Sequence, residues 1–388
     1  MKKGEMLTGF KTMFKHPYRR AAEWKRITGK KVIGCVPMYF PDEMVHAAGA
    51  LPVALFGSGE PISHADAHLM TNACDQVRST FDSLLKGHYD FMDGVAALHV
   101  CDQVRFFIEV WQLDRPFPFF HQMWRPFKMD GSTRPFLLKE LERLKSSLEK
   151  LTGNQITPQA LRESIESYNE SRLLIRAMND IRSRRPGILG AADTARIIAA
   201  GMLMPIEENI TLMKQLISVL EREAIDGSER TRIVVAGHPC AVPDADLLDM
   251  LENYGLSVID DDLFSGGRRC ATDVILENDP VEALADSYMN ALPCTTHHFP
   301  SAWMKSGDDH SPYSDHVIEM VRKGNAEAVV ILRMMYCDPF DLEFVFLKKR
   351  LEEEGIPFLP LVTQHGPVPL ESLRTRVQAF AERLKTHL

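Results

Sequence analysis

The sequence predicts an α/β protein: two similar doubly wound, Rossmann-like parallel-sheet domains with a helical segment between them. Short β-branched runs alternate with amphipathic stretches at both ends of the chain, the pattern of parallel strands covered by helices on both faces. The middle, about 131–228, carries apolar residues at helical spacing and no strand pattern. A strand, a Cys-Asp step, a helix and a Pro-Phe step follow one another once in each flanking region. The expected division is 1–130, an N-terminal α/β domain; 131–228, helical; and 229–388, a C-terminal α/β domain.

In order along the first region, Lys31–Val36 reads as a buried strand, and a helix opens at Pro41 and stops at Gly49. Pro52–Phe56 is the next strand, Asp66–Leu85 is mostly helical, Gly94–Val100 is a strand, Asp102–Leu113 a helix and Pro116–Phe120 a strand. In the middle, Leu137–Leu151 is charged and leucine-rich. Thr157-Pro158 is a helix cap followed by proline at the first helical position. Leu161, Ile165, Tyr168, Ile175 and Met178 continue at helical spacing, and another helix follows Pro205.

The third region returns to alternation. Arg232–Ala236 is a strand, Asp244–Tyr254 a helix stopped by Gly255, and Ser257–Asp260 a strand. Ala328–Tyr336 is a strand, Phe340–Glu354 a helix, Pro357–Val362 a strand and Glu371–Lys385 a final helix. Lys31–Phe56 matches Arg232–Asp260 unit for unit, so the two flanking regions read as repeats. Ligands of such sheets bind outside the carboxyl ends of the strands. Cys101 and Cys337 both fall at that edge.

Composition bounds the function. A length of 388 residues suits two or three domains, and 45% apolar with 25% charged residues is a globular balance. A net charge of -8 argues against nucleic-acid binding, which needs an excess of Lys and Arg. No apolar run approaches the roughly 20 residues of a membrane span, and no apolar stretch follows the basic start as in a signal peptide. The expectation is a cytoplasmic protein whose seven cysteines are thiols, ligands or nucleophiles rather than disulfides.

Cys35 and Cys270 read as small buried hydrophobes. Cys240, in His238-Pro239-Cys240, follows a strand and reads as a site-lining residue rather than a ligand. Cys294 lies near His297 and His298 at a spacing that matches no closed zinc site. Cys74, Cys101 and Cys337 differ because each precedes an Asp and two of them end strands. Cys74-Asp75-Gln76-Val77-Arg78 nearly recurs as Cys101-Asp102-Gln103-Val104-Arg105. Thiolates suit iron–sulfur clusters or zinc, and dispersed spacing alone does not choose between a metal site and none. No P-loop, nucleophile elbow, H-E-x-x-H or G-x-G-x-x-G is present. Gly57-Ser58-Gly59 and Gly266-Gly267 read as turns, Asp260-Asp261-Asp262 as a solvated loop and Arg268-Arg269 as surface arginines. His46, His99 and His121 have no assigned role.

Taken together, Val36-Pro37, Ala47-Ala48-Gly49-Ala50-Leu51-Pro52, Cys74, Cys101-Asp102, Asp260-Asp261-Asp262 with Arg268, Tyr336-Cys337-Asp338-Pro339, Gly355-Ile356-Pro357 and Arg374-Thr375-Arg376-Val377-Gln378-Ala379-Phe380 span nearly the whole chain. On these phrases the chain resembles the cluster-bearing subunits of 2-hydroxyacyl-CoA dehydratases and ATP-dependent (class I) benzoyl-CoA reductases. The wording of Gly34–Pro52 and Cys101–Phe107 is most similar to the smaller, gamma or C type, reductase subunit. Glu371-Ser372-Leu373 departs from the Gly-Gln that many relatives carry before the arginine phrase.

The resemblance implies a [4Fe–4S] cluster held by Cys74, Cys101 and Cys337, with one iron lacking a protein ligand. It implies as partners a homologous cluster-bearing subunit, ATP-hydrolysing iron–sulfur activator subunits and an acyl-CoA substrate, with no nucleic acid and no membrane. Two chemistries fit: single-electron reduction of an aromatic acyl-CoA ring to a cyclic dienoyl-CoA, and ketyl-radical loss of water from a 2-hydroxyacyl-CoA. The reductase is the expectation. A non-catalytic electron-relay or accessory subunit is an alternative, and a metal-free α/β ligand-binding protein would keep the three cysteines apart.

Overall fold

The computed structural model describes residues 2–58, 60–126, 128–224, 230–237, 240, 242–296, 299–300, 310–364 and 370–386. Two helices open the chain, α1 (Lys3–Lys15) and α2 (Arg19–Thr28). The first α/β unit follows: β1 (Val32–Cys35), α3 (Asp42–Ala47), β2 (Leu51–Ala54), α4 (Asp75–Leu85), β3 (Gly94–Leu98), α5 (Asp102–Asp114) and β4 (Phe119–Met123). Its four strands are parallel in the order β2-β1-β3-β4. Every residue of β1, β2 and β3 is buried, which is why these strands read as continuous apolar runs rather than alternating ones.

After β5 (Lys128–Met129) come α6 (Thr133–Thr152), α7 (Pro158–Arg184), α8 (Ala191–Gly201) and α9 (Ile206–Arg222). Thr157 caps α7 by accepting from the Ala160 amide, with Pro158 in the first turn. The second α/β unit runs β6 (Thr231–Gly237), α10 (Ala245–Asn253), β7 (Leu256–Asp261), α11 (Pro280–Met289), β8 (Phe299–Pro300), α12 (Pro312–Gly324), β9 (Ala328–Met334), α13 (Asp338–Glu353), β10 (Phe358–Thr363) and α14 (Leu370–Thr386). Its parallel order is β10-β9-β6-β7.

Read from β7, the second sheet is β7-β6-β9-β10, the order of β2-β1-β3-β4 with each strand replaced by its counterpart. The repeat is therefore a repeat of topology. In both sheets proline falls on an edge strand, Pro52 in β2 and Pro360 in β10, where a missing N–H costs least.

The halves interlock. The core around the first sheet includes Val274, Leu284 and Tyr288 from the later part of the chain. Arg134 at the start of α6 pairs with Asp286 of α11 at 2.6 Å. The short pair β5–β8 adds a backbone tie between the same regions. Leu248, Val330 and Phe380 mark a core on one face of the second sheet, and Ile259, Ile331 and Phe340 a core on the other. Met6 and Phe10 of α1 pack with Ile197 of α8 and Leu216 of α9.

Some expectations shift. Asp66–Leu85 is not one helix: a single turn at Ala65–Ala67 precedes Cys74, whose extended backbone starts α4 afresh. The Asp82 carboxylate accepts the amides of Ser63, His64 and Ala65, a local arrangement that competes with helix. The strand expected at Pro116–Phe120 lies at Phe119–Met123, and α1, α2, α8, α11 and α12 had no counterpart in the reading of the sequence. No helix among the described residues is long and apolar enough to cross a membrane.

Candidate metal centre

In each sheet the strand order reverses between the first and third strands, β1 and β3 or β6 and β9. Connections leave in opposite directions there and open a crevice beyond the carboxyl ends. Met38 and Tyr39 follow β1, His99 to Cys101 follow β3, Cys240 follows β6, and Tyr336 with Cys337 follow β9. Met38, Tyr39 and Tyr336 hold φ of 89°, 59° and 63°. Non-glycine residues take that region at a cost of about 1–3 kcal/mol each, so the surrounding packing imposes these turns.

Cys74, Cys101 and Cys337 share one local role. Each is the residue immediately before a helix: α4, α5 and α13. The backbone N–H of Val77 favours the Cys74 thiolate, those of Val104 and Gln103 favour the Cys101 thiolate, and that of Phe340 favours the Cys337 thiolate, without closing a full capping hydrogen bond. Three helix N-termini, each with partial positive charge, thus face three sulfurs. The recurring Asp has a simpler reason. Asp75, Asp102 and Asp338 occupy the first helical position, where a carboxylate complements the dipole. Asp75 also pairs with Arg78 at 3.1 Å and Asp102 with Arg105 at 3.6 Å, which accounts for the arginine in both phrases.

The thiols interact with one another. Burial pushes Cys74 up most, followed by the charges of Cys101 and Cys337. Burial pushes Cys337 up to about 12, with Cys101 and the Asp338 and Asp341 carboxylates adding to it. Cys101 is raised by burial and by Asp102 and Asp338. Thiols raised in this way are poor nucleophiles at neutral pH. Among the described residues no three His, Cys, Asp or Glu side chains stand close enough to share one metal ion. A multi-atom cluster holds its ligands farther apart than a single ion does. The donor set, three soft sulfurs facing three helix N-termini, fits an anionic iron–sulfur cluster.

All seven cysteines are free. Cys35 and Cys270 are buried, the first inside β1 and the second with its thiol donating to the Gly267 carbonyl. Cys294 is buried and within hydrogen-bond reach of the Thr296 hydroxyl, while His297 and His298 lie outside the described residues. Cys240 does not stand apart: its thiol, raised by burial, interacts with Cys101, Cys337 and Cys74.

Asp260-Asp261-Asp262 is not a solvated loop, and Arg268-Arg269 are not surface arginines. Asp262 and Arg268 form an ion pair at 2.6 Å with both side chains 2% exposed. Asp261 pairs with the buried Arg182 at 3.1 Å, and Arg269 with Asp42 at 2.8 Å. Gly267 is required by close approach, since a Cβ there would meet the Asp261 carbonyl at 2.2 Å. Gly57 makes the positive-φ turn expected of it, and Gly59 lies outside the described residues. His46 lies between Ser164 and Glu207, and His99 against Trp124. Burial lowers His121 to about 4.

Reading the sequence missed a pocket of about 100 Å³ beside Tyr39, with Glu43, Arg172, Arg268 and Arg269 in its wall among apolar residues such as Phe264 and Leu284. Arg172 is paired there with Glu43 at 2.8 Å. It also missed Arg125, which is 3% exposed and has no carboxylate partner among the described residues. Its Nη2 donates to the Thr296 carbonyl, its Nε and Nη1 make no hydrogen bond among the described residues, and its guanidinium lies 5.2 Å from the Tyr39 ring centre. No pattern in the sequence marks these arginines, because their partners lie far away along the chain.

Comparison with known proteins agrees along the whole length. The model of a family described as 2-hydroxyglutaryl-CoA dehydratase, D-component, matches residues 37–384. The C-type subunit of benzoyl-CoA reductase from Thauera aromatica is 29% identical over 372 residues, 95% of each chain. The (R)-phenyllactyl-CoA dehydratase beta subunit of Clostridium sporogenes is 28% identical over 377 residues, 97% of each chain. The beta subunit of lactoyl-CoA dehydratase from Anaerotignum propionicum is 27% identical over 382 residues, 98% of each chain. This chain belongs to the 2-hydroxyglutaryl-CoA dehydratase D-component family, among whose members are subunits of benzoyl-CoA reductase and of 2-hydroxyacyl-CoA dehydratases.

Proposed function

We propose that the chain is the [4Fe–4S] subunit of an ATP-dependent benzoyl-CoA-type reductase, which reduces the ring of an aromatic acyl-CoA by single electrons. Cys74, Cys101 and Cys337 hold the cluster. The observation that carries the reading is that three thiols, Cys74 buried and Cys101 and Cys337 half-buried, bear on one another's charge although they come from three helix N-termini and from both sheets. A metal-free binding protein has no reason to gather them. When bound, the cluster supplies an electron at low potential. The chain's own residues would fix its ligands on helix starts and offset its negative charge with backbone amides.

The partners proposed are a homologous cluster-bearing subunit, ATP-hydrolysing iron–sulfur activator subunits and the acyl-CoA itself. The names of the relatives, each a subunit of a larger enzyme, support the first. An oxygen-sensitive centre with free cysteines suits the reducing cytoplasm. A second reading, a subunit of a 2-hydroxyacyl-CoA dehydratase, is favoured by the two relatives named for that activity, at nearly the same identity.

The test is iron and sulfide content of anaerobically purified protein, wild type against Cys74→Ala, Cys101→Ala and Cys337→Ala. About four irons and four sulfides per chain are expected, lost in each variant. Wild-type protein without iron sinks the reading. Turnover of benzoyl-CoA against a 2-hydroxyacyl-CoA, with partner and activator present, then separates reductase from dehydratase.

A further inference from the structure

We propose that Cys240 supplies a fourth thiolate to the same cluster, so that no iron in this subunit stays open to substrate. The inference rests on the cluster reading above and gives the subunit a relay role. Four strand ends border the two switch points: β1, β3, β6 and β9. Cys101 stands beyond β3 and Cys337 beyond β9, equivalent positions in the two repeats. Cys240 stands beyond β6, and its equivalent beyond β1 is Met38. The two sulfurs meet, Cys240 Sγ lying against Met38 Sδ. Sulfur-bearing residues therefore follow all four central strands.

After burial, the groups that bear on the Cys240 thiol are other thiols, those of Cys101, Cys337, Cys74 and Cys294. Cys101, Cys337 and Cys74 are the proposed ligands, each at the start of a separate helix, and Cys240 stands beyond the end of a strand bordering the same crevice. Cys35 and Cys270 serve as controls within the chain. After burial, what bears on them is Asp42 in the first case and Asp261 with Arg176 in the second, not other thiols. A cubane has four irons, and three cysteines satisfy three. A fourth soft donor is the ligand that a thiolate-selecting iron prefers. On ligation the Cys240 S–H loses its proton to solvent, the new Fe–S bond replaces an Fe–water bond, and the water leaves. No electron changes hands. A cluster closed in this way passes electrons without touching the thioester.

The full-length chain, purified alone without oxygen, is challenged with one equivalent of ferricyanide and, separately, reduced and mixed with cyanide. An iron without a thiolate is lost on mild oxidation and binds added ligands. Wild type is expected to keep its full iron content, show no [3Fe–4S] EPR signal and leave its reduced EPR spectrum unchanged by cyanide. Cys240→Ala and Cys240→Ser are expected to lose about one iron in four, give the [3Fe–4S] signal and shift with cyanide. Wild type that converts as readily as the variants, or that binds cyanide, overturns the proposal and leaves a three-cysteine cluster standing. The wild-type arm decides this alone if a variant fails to fold. Iron-free wild-type protein overturns the cluster reading itself.

Discussion

Cys101 and Cys337 are equivalent residues of the two repeats: each follows the third strand of its sheet, precedes an Asp at the first helical position and opens the next helix. The third cysteine breaks this symmetry. Cys74 opens α4, the helix before β3, while the helix before β9, α12, is opened by Ser311. The Ser311 hydroxyl accepts from the Ser314 amide and donates to Glu343. One repeat thus places a thiol at this position and the other an ordinary helix cap.

Glu343 carries a pH prediction. Burial raises its carboxyl to about 7, with the Ser311 hydroxyl acting in the opposite sense. Its unfolded value is about 4.3. A carboxyl raised by folding stabilises the protein fully below the unfolded value and loses that contribution as pH rises through the folded one. Burial likewise raises Glu252 to about 7 and Asp260 to about 6. Thermal stability is therefore expected to fall as pH rises from about 5 to about 8, a window that brackets these raised values. Glu343→Gln flattens part of that slope in melts run across the range, and an unchanged slope would count against the assignment.

The two kinds of buried arginine should respond oppositely to removal of charge. Asp262→Asn leaves Arg268 buried and unpaired, with a loss of about 3–5 kcal/mol in urea unfolding. Burial pushes Asp262 up, but Arg268 and His316 outweigh it and hold the carboxyl below its usual range. The stabilisation from this pair is thus present above an unfolded value of about 3.9 and is lost only in stronger acid. Arg125→Met removes a guanidinium without a carboxylate partner among the described residues, and stability is expected to hold or rise.

Glycine substitutions separate close approach from simple turn geometry. Gly237 ends β6 at φ 138°, and a Cβ there would sit 2.1 Å from the Leu332 carbonyl oxygen of β9. Gly237→Ala should prevent or severely weaken folding, because two paired backbones must part. Gly29, at φ 68° with open space around it, should tolerate alanine at a cost of about 1 kcal/mol. Circular dichroism and urea midpoints of the two variants provide the comparison.

Thr157→Ala removes the side chain that accepts the Ala160 amide at the start of α7. The expected loss is about 1 kcal/mol, with Thr157→Ser restoring most of it. A loss shared equally by the serine variant would show that the methyl contact, not the cap, was responsible.

Much of the architecture is encoded locally. Buried strands such as Val32–Cys35 and Ala328–Met334, the Thr157-Pro158 start and the Gly255 and Gly355 stops are signals within a few residues, and the structure places elements there. The Cys101-Asp102 and Cys337-Asp338 steps fall just beyond strands for the same reason. Where a distant group overrides local preference the element shifts, as at Ala65, held with its neighbours by the Asp82 carboxylate.

The sequence by itself determined the α/β class, the repeat and the family, because strand and helix periods and motif phrases are properties of the chain taken in order. Only the tertiary structure decided that Cys74, Cys101 and Cys337 each open a helix and bear on one another's charge, and that Asp262 and Arg268 are a buried pair rather than a solvated loop beside surface charge. Those relationships depend on folding together segments as far apart as Cys74 and Cys337, and on desolvation, which exists only once the two sheets and their helices have closed over the site.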